Sequence, residues 1–357
     1  MSYTEIRKQI LKEFFLLPRA ANDYSEYKWT ACGPDGETLY TDVFLIGWRH
    51  SWITHTAIVV MSGVHGYELG AGSRAQITLM RAVRERRLRL KHSLILVHAL
   101  NPWGAAHGRR NDQDNVEPNR GSGEDFTTVT EYSKYWSLVE PCEWNEDAKR
   151  RLQEALADPV VGPDLFRNVV GGQCDFSQGL FYGGRSLCRS AIFLRSICAA
   201  FLARCENIAV LDLHTGLGAD GACELFSPVA SRDIRSYKLV KRWFGDLAKF
   251  PNLGDDESVV PPVKGDMLNA LIRFLPESNI VPMVLECGTS VQVPESFPRL
   301  VEENYYYHHP TLENQKRRKE VANWLEREVF SPHRQDWQEN VNARVLEFVK
   351  EMDANLP

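Results

Sequence analysis

Four short runs of nearly unbroken Val, Ile and Leu constrain this chain more than any other feature: Ala57–Met61, Leu94–Ala99, Ile208–Leu213 and Val281–Leu285. None alternates apolar with polar residues, so none reads as a strand with one face in water. Continuous runs of this kind read as strands covered on both faces. Long amphipathic segments lie between them, Leu69–Leu88 and Ser190–Cys205 among them. Strand, turn and helix in repetition predict an α/β fold layered about a sheet. Apolar residues at helical spacing predict a helix over residues 5–16, and GPDGE between two strand-like stretches predicts a hairpin over 26–48. Residues 106–190, rich in Asn, Asp, Gly, Tyr and Trp, predict long loops and short helices that wall a cleft. Loops this long are functional or disordered, and the aromatic content speaks against disorder. Two closing helices are predicted over 311–328 and 336–353. No linker interrupts the chain, so residues 1–357 read as one domain, framed by the N-terminal helix and hairpin and by the closing helices.

A chain of 357 residues, 43% of them hydrophobic, can bury a large core unaided. The net charge of -5 gives no sign of the basic face of a nucleic-acid binder. The N-terminus has no apolar signal region, and no stretch approaches the ~20 apolar residues of a membrane span. Eight cysteines are scattered without CxxC spacing, which predicts free, mostly buried thiols and a cytoplasmic location. The basic run Arg81–Lys91 reads as a solvated helix end, where cations suit the dipole, rather than as an anion- or partner-binding patch.

The chemistry lies at the strand ends. The first run leads into Ser62-Gly-Val-His65-Gly-Tyr-Glu68, the second into Asn101-Pro-Trp-Gly, the third into Asp212-Leu-His214-Thr-Gly and the last into Glu286-Cys-Gly-Thr. Parallel strands place ligands at their carboxyl ends, so His65, Glu68, His214 and Glu286 are expected to share one crevice. Two imidazoles and a carboxylate with an open fourth position make a catalytic zinc site, one Zn2+ per chain. Glu286 is then the candidate base for the attacking water. His50 and His55 are expected at the surface and His98 in the core or beside the site. His107, in the loop toward the arginines, is within possible reach of it.

Arg109 and Arg110, followed by Asn119 and Arg120, form the next group. Planar guanidinium forks suit a substrate carboxylate or a scissile carbonyl. The same arginines also have Asp112, Asp114 and Glu117 nearby as surface partners. Cys287 adjoins the candidate base, but no nucleophile motif accompanies it.

These motifs together resemble the zinc carboxypeptidases: HGYE, NPWG, RRNDQDNVEPNR, LDLHTGLG and VLECGT occur in the family's order. More closely, the chain resembles an uncharacterised bacterial branch of that clan, a domain family of unknown function, which also carries motifs like GGQC (Gly171–Cys174) and GLFYGG (Gly179–Gly184). The resemblance runs from about residue 30 to about residue 300. It implies a three-layer, phosphorylase/hydrolase-like α/β fold with a mixed, mostly parallel sheet. It implies zinc at His65, Glu68 and His214, Glu286 as base, and Asp212 as a hydrogen-bonding partner of His214. It also implies Asn119 and Arg120 as substrate contacts and either Arg109 or Arg110 as the oxyanion arginine. The expected activity is metallocarboxypeptidase-like amide hydrolysis of a small peptide, or deacylation of an N-acyl amino acid, the substrate carrying a carboxylate. A non-catalytic ligand-binding relative is the further alternative. Two departures stand out: Glu117 and Pro118 replace the family's Asp and Leu, and no tyrosine occurs between Val259 and Leu285. Tyr182, or one of Tyr305, Tyr306 and Tyr307, is the candidate replacement for the family's tyrosine.

Overall fold

The computed structural model describes residues 1–47, 55–254 and 258–357. His50 and the last residue of the expected hairpin lie outside these. In chain order the main elements are α1 Tyr3–Phe14, β1 Asn22–Cys32, β2 Thr38–Ile46, β3 Thr56–Met61, α2 Leu69–Arg84, β4 Ser93–His98, α3 Pro102–His107, α4 Tyr132–Val139, α5 Glu146–Ala157, α6 Val161–Val170 and α7 Arg189–Ile197. They continue with β5 Asn207–Thr215, β6 Cys223–Phe226, α8 Ile234–Phe244, β7 Ala248–Lys249, α9 Met267–Phe274, β8 Asn279–Cys287, α10 Val293–His308, α11 Leu312–Trp324 and α12 Gln335–Asn355.

The strands form one sheet of order β1-β2-β4-β3-β5-β8-β6-β7. Its middle, β4-β3-β5-β8, is parallel. The β1–β2 hairpin and β6 join antiparallel at either side. Successive residues of a strand point to opposite faces, and the four apolar runs divide accordingly. Ile58, Val60, Leu94, Leu96, Ala209, Leu211, Val281 and Met283 pack with α1, α2, α8 and α12. Ala57, Val59, Ile95, Val97, Ile208, Val210, Ile280 and Val284 pack with α7 and α9. Helices on both faces of a sheet make three layers, and this division is why the runs do not alternate.

The expected elements are present with shifted ends. Helix α1 starts at Ser2, whose hydroxyl accepts the Glu5 amide while the Glu5 carboxylate accepts the Ser2 amide, a reciprocal cap. Helix α7 is shorter than the 190–205 segment and finishes in a π-helical turn at Cys198–Leu202. The 106–190 region holds α4, α5 and α6, whose own apolar cluster is built on Tyr132, Leu152, Leu165 and Phe297. In the basic run, Arg81 and Arg84 pair with Glu13 of α1, in keeping with a helix end tied to its neighbour.

The cysteine reading needs one correction. Cys223 and Cys287 are disulfide-bonded, 64 residues apart in sequence. They are direct register partners on β6 and β8, so the sheet brings together two thiols that no local spacing connects. The other six cysteines are free. Among the described residues no helix is long and apolar enough to cross a membrane.

Candidate metal centre and its cavity

Strand parity sets the first half of the site. On β5, Ile208 and Val210 face α7 and α9, so Asp212 and His214 project from the same face. On β8, Val284 faces that side, and so does Glu286. His214 and Glu286 are register partners on adjacent parallel strands, which holds their backbones about 5 Å apart.

The second half comes from the turn after β3. Gly63 takes a left-handed conformation, φ +68°, which favours glycine. Gly66 sits against the α3 turn so tightly that a Cβ would lie 2.1 Å from the Gly104 carbonyl carbon and 2.3 Å from the Arg109 oxygen. That contact locks the His65–Glu68 turn onto the loop that carries the arginines. Asn101 begins α3: its side-chain oxygen accepts the Gly104 amide at 3.0 Å, with Pro102 in the first turn. Its amide also donates to the Arg110 carbonyl at 3.2 Å.

His65, Glu68 and His214 converge, all buried. His65 Nδ1 lies 2.7 Å from Glu68 Oε1, His214 Nδ1 lies 2.8 Å from Glu68 Oε2, and the two Nδ1 atoms are 3.1 Å apart. The far nitrogens are held by other carboxylates: His65 Nε2 by Glu117 at 2.6 Å and His214 Nε2 by Asp212 at 2.9 Å. Carboxylates on both Nε2 atoms favour the tautomers that aim the Nδ1 lone pairs inward. Two such lone pairs and a carboxylate repel one another unless positive charge lies among them. Burial opposes a charge on His214, but Asp212 and Glu68 outweigh it and hold His214 well above its ordinary range. Burial likewise opposes ionisation of Glu68, and His65 with His214 outweigh it, keeping Glu68 below the usual carboxylate range. A divalent cation meets the same demand, and two imidazoles with one carboxylate are a donor set that zinc takes. The residues therefore fit the metal.

The cavity over this cluster has a volume of about 850 Å³ including its mouth, and Glu286, Arg110, Asn119 and Arg120 line it. Glu286 accepts the Leu217 amide at 2.9 Å. Burial, with the Glu68 charge nearby, pushes the Glu286 carboxyl above the ordinary range. Arg110 reaches to 3.6 Å from Glu68 and 3.8 Å from Glu117, and its buried Nε has no hydrogen-bond partner.

The structure separates residues that the sequence left together. Arg109 points away from the cavity: it donates to Asn304 at 3.0 Å, lies 3.3 Å from Glu303 and stacks 3.6 Å over the Tyr307 ring. Arg110 is thus the arginine that faces the His65–Glu68–His214 cluster. Tyr182 belongs to the apolar cluster beneath the sheet, and its carbonyl accepts the Glu117 amide; it does not line the cavity. Neither does Tyr305, Tyr306 or Tyr307, and among the described residues no tyrosine does. His107 stacks on Trp103 and binds the Cys32 carbonyl, outside the cavity. His98 is a core residue bonded to Ser73, and His55 is exposed.

Two participants escaped sequence reading. Glu117 is an inner partner of His65 and Arg120 rather than a surface acid. Asp266 lines the cavity and caps α9 through the Leu268 and Asn269 amides; burial pushes it up to about 6. An Asp directly before the apolar segment Met267–Phe274 is the helix-start signal that points to this role.

The fold and site together define a three-layer α/β protein with a candidate metal centre at the carboxyl ends of its central strands. The chain belongs to a family described as a protein of unknown function (DUF2817), whose model matches residues 1–344. No curated protein matches it in sequence. In structure it is similar to carboxypeptidase A from Helicoverpa armigera: 12% identity, 90% of this chain and 74% of that chain covered, TM-score 0.47. It is similar to succinylglutamate desuccinylase from Chromobacterium violaceum, at 13% identity, 91% and 74% coverage and TM-score 0.38. It is also similar to bovine thrombin-activatable fibrinolysis inhibitor, at 11% identity, 98% coverage of both chains and TM-score 0.46.

Proposed function

We propose that this chain is a zinc-dependent amide hydrolase, with one Zn2+ held by His65, Glu68 and His214 and with Glu286 as general base. The observation that carries the reading is the pair of Nδ1 atoms 3.1 Å apart around one carboxylate, each ring backed by a second carboxylate on Nε2. A zinc ion held there supplies a Lewis acid that polarises a carbonyl and makes a water more acidic. Glu286 takes the proton of the attacking water and returns it to the leaving nitrogen; a carboxyl raised by burial suits both steps. Arg110, with an unpartnered Nε, faces the negative charge that develops on the carbonyl oxygen. Asp212 and Glu117 orient the metal-binding rings. Asn119 and Arg120 shape the substrate side.

The substrates this reading covers are small peptides and N-acyl amino acids. The lack of a cavity-lining tyrosine among the described residues speaks against the carboxypeptidase form. The test begins with metal content, wild type beside a His65→Ala/His214→Ala variant, followed by hydrolysis of a panel of peptides and N-acyl amino acids. About one zinc per chain, lost in the variant and accompanied by turnover of an amide, supports the proposal. No zinc after reconstitution overturns it.

A further inference from the structure

Most of the donors that Arg120 offers to a substrate carboxylate are already engaged by the protein. Arg120 Nη1 lies 2.8 Å from Glu117 Oε2 and donates to the Asn119 carbonyl at 3.2 Å. Its Nε donates to the Val170 carbonyl at 2.9 Å, and Nη2 donates to the same oxygen. Asn119 is anchored by its side-chain oxygen, which accepts the Met267 amide at 3.1 Å, and its Nδ2 lies 3.3 Å from His214 Nε2, turned to the ring rather than to Arg120. Arg120 therefore sits in an ion pair with Glu117, and Asp266 also acts on it electrostatically.

Among the described residues Arg110 is the one other arginine or lysine on the cavity wall, and it faces the metal cluster. Glu68, Glu286 and Asp266 line the same space. Much of the remaining wall is apolar: Phe166 from α6, Phe181, Phe297 and Leu300 from α10, and Val329 and Phe330 after α11. A free carboxylate entering this end would lose its hydration, meet a guanidinium already neutralised by Glu117, and approach Asp266. Burying a charge without a partner is unfavourable, whereas burying a ring against this wall is favourable.

We infer that this site, taken as the amide hydrolase proposed above, accepts amides whose group beside the scissile bond is aromatic or large aliphatic and carries no free carboxylate. The Glu117–Arg120 ion pair withholds the carboxylate contact and the phenylalanine wall replaces it.

The test uses matched probes: hippuryl-phenylalanine, its C-terminal amide, and N-acetylaspartate. Binding is measured by calorimetry on zinc-loaded Glu286→Gln, and turnover on the zinc-loaded wild type. The amide twin is expected to bind at least as tightly as the free acid, and N-acetylaspartate more weakly than either. Phe297→Ser is expected to weaken both aromatic probes by about tenfold, in line with loss of a buried ring contact, at unchanged zinc content. Phe166→Ser serves the same purpose if Phe297→Ser fails to fold. A preference for the free acid of about tenfold or more, as one charged hydrogen-bond contact confers, overturns the inference. So does tighter binding of N-acetylaspartate, or binding of neither twin. If the probes bind in the expected order but wild type hydrolyses none, the hydrolase reading fails while the ligand class stands. Turnover with a free-acid preference has the opposite meaning.

Discussion

Glu117 Oε1 lies 2.6 Å from His65 Nε2, on the edge of the ring opposite the nitrogen that faces the metal position. The other carboxylate oxygen holds Arg120. One side chain thus holds the ring of a proposed metal ligand and pairs with an arginine. Burial opposes its charge, but Arg120, His65 and Arg110 outweigh burial and keep Glu117 below the usual carboxylate range. Glu117→Ala should therefore lower zinc affinity by about 10–100-fold, as loss of such an orienting partner does. Competition with a chromophoric chelator measures it, and an unchanged affinity would mean that His65 is oriented by something else.

Glu286→Gln should keep its zinc, because Glu286 lies outside the ligand cluster, and should lose about 10²–10⁴-fold in amide turnover. Paired metal analysis and rate measurements decide this. Turnover near wild type would remove Glu286 as the base.

Glu140 gives a pH prediction away from the metal. It accepts the Leu180 amide at 3.2 Å and the Asn304 side-chain amide at 2.8 Å, and burial pushes its carboxyl from 4.5 up to about 8. The folded chain thus holds a proton that the unfolded chain releases above pH 4.5. This contribution is fully present below about pH 4.5 and is lost as pH rises through about 8. Glu140→Gln mimics the protonated acid and removes the dependence, so its denaturation midpoint should gain on wild type between about pH 5 and pH 8. The limit is about 1.4 kcal/mol per pH unit. Parallel pH profiles for the two proteins would refute the shift.

The Cys223–Cys287 bond closes a 64-residue separation. Cys223→Ser should lower stability by about 2–4 kcal/mol, chiefly by freeing the unfolded chain. Reductant should bring wild type to the midpoint of the variant. A wild-type midpoint indifferent to reductant would show that the bond does not form in solution.

What was readable beforehand followed from periodicity and position. The four buried strands announced themselves because both faces are covered, and the convergence of His65, Glu68, His214 and Glu286 on one crevice because each ends or follows such a strand. Strand β6, four residues long, carries too short a pattern to be read, and its pairing with β8 is what joins Cys223 to Cys287. The distinction between Arg109 and Arg110 was also hidden. Adjacent residues in a loop carry no periodicity, and only the packing of Tyr307, Glu303 and Asn304 against Arg109 turns it away from the cavity. The bond from Glu117 to His65 was hidden too, because the sequence offered Glu117 only as a partner of the nearby arginines and as a replacement for the family's Asp.

The middle of the sheet also divides the labour of this site. His214 and Glu286 ride on β5 and β8, neighbours cross-linked by a full ladder of main-chain pairs, whereas Phe166 and Phe297 of the cavity wall stand on helices α6 and α10 outside the sheet. On the proposed function, reactivity and selectivity are mounted on separate parts. Substitutions in the wall can change what is admitted while the spacing of ligand and base stays as it was, so a lineage built on this frame can exchange substrates without reinventing its chemistry.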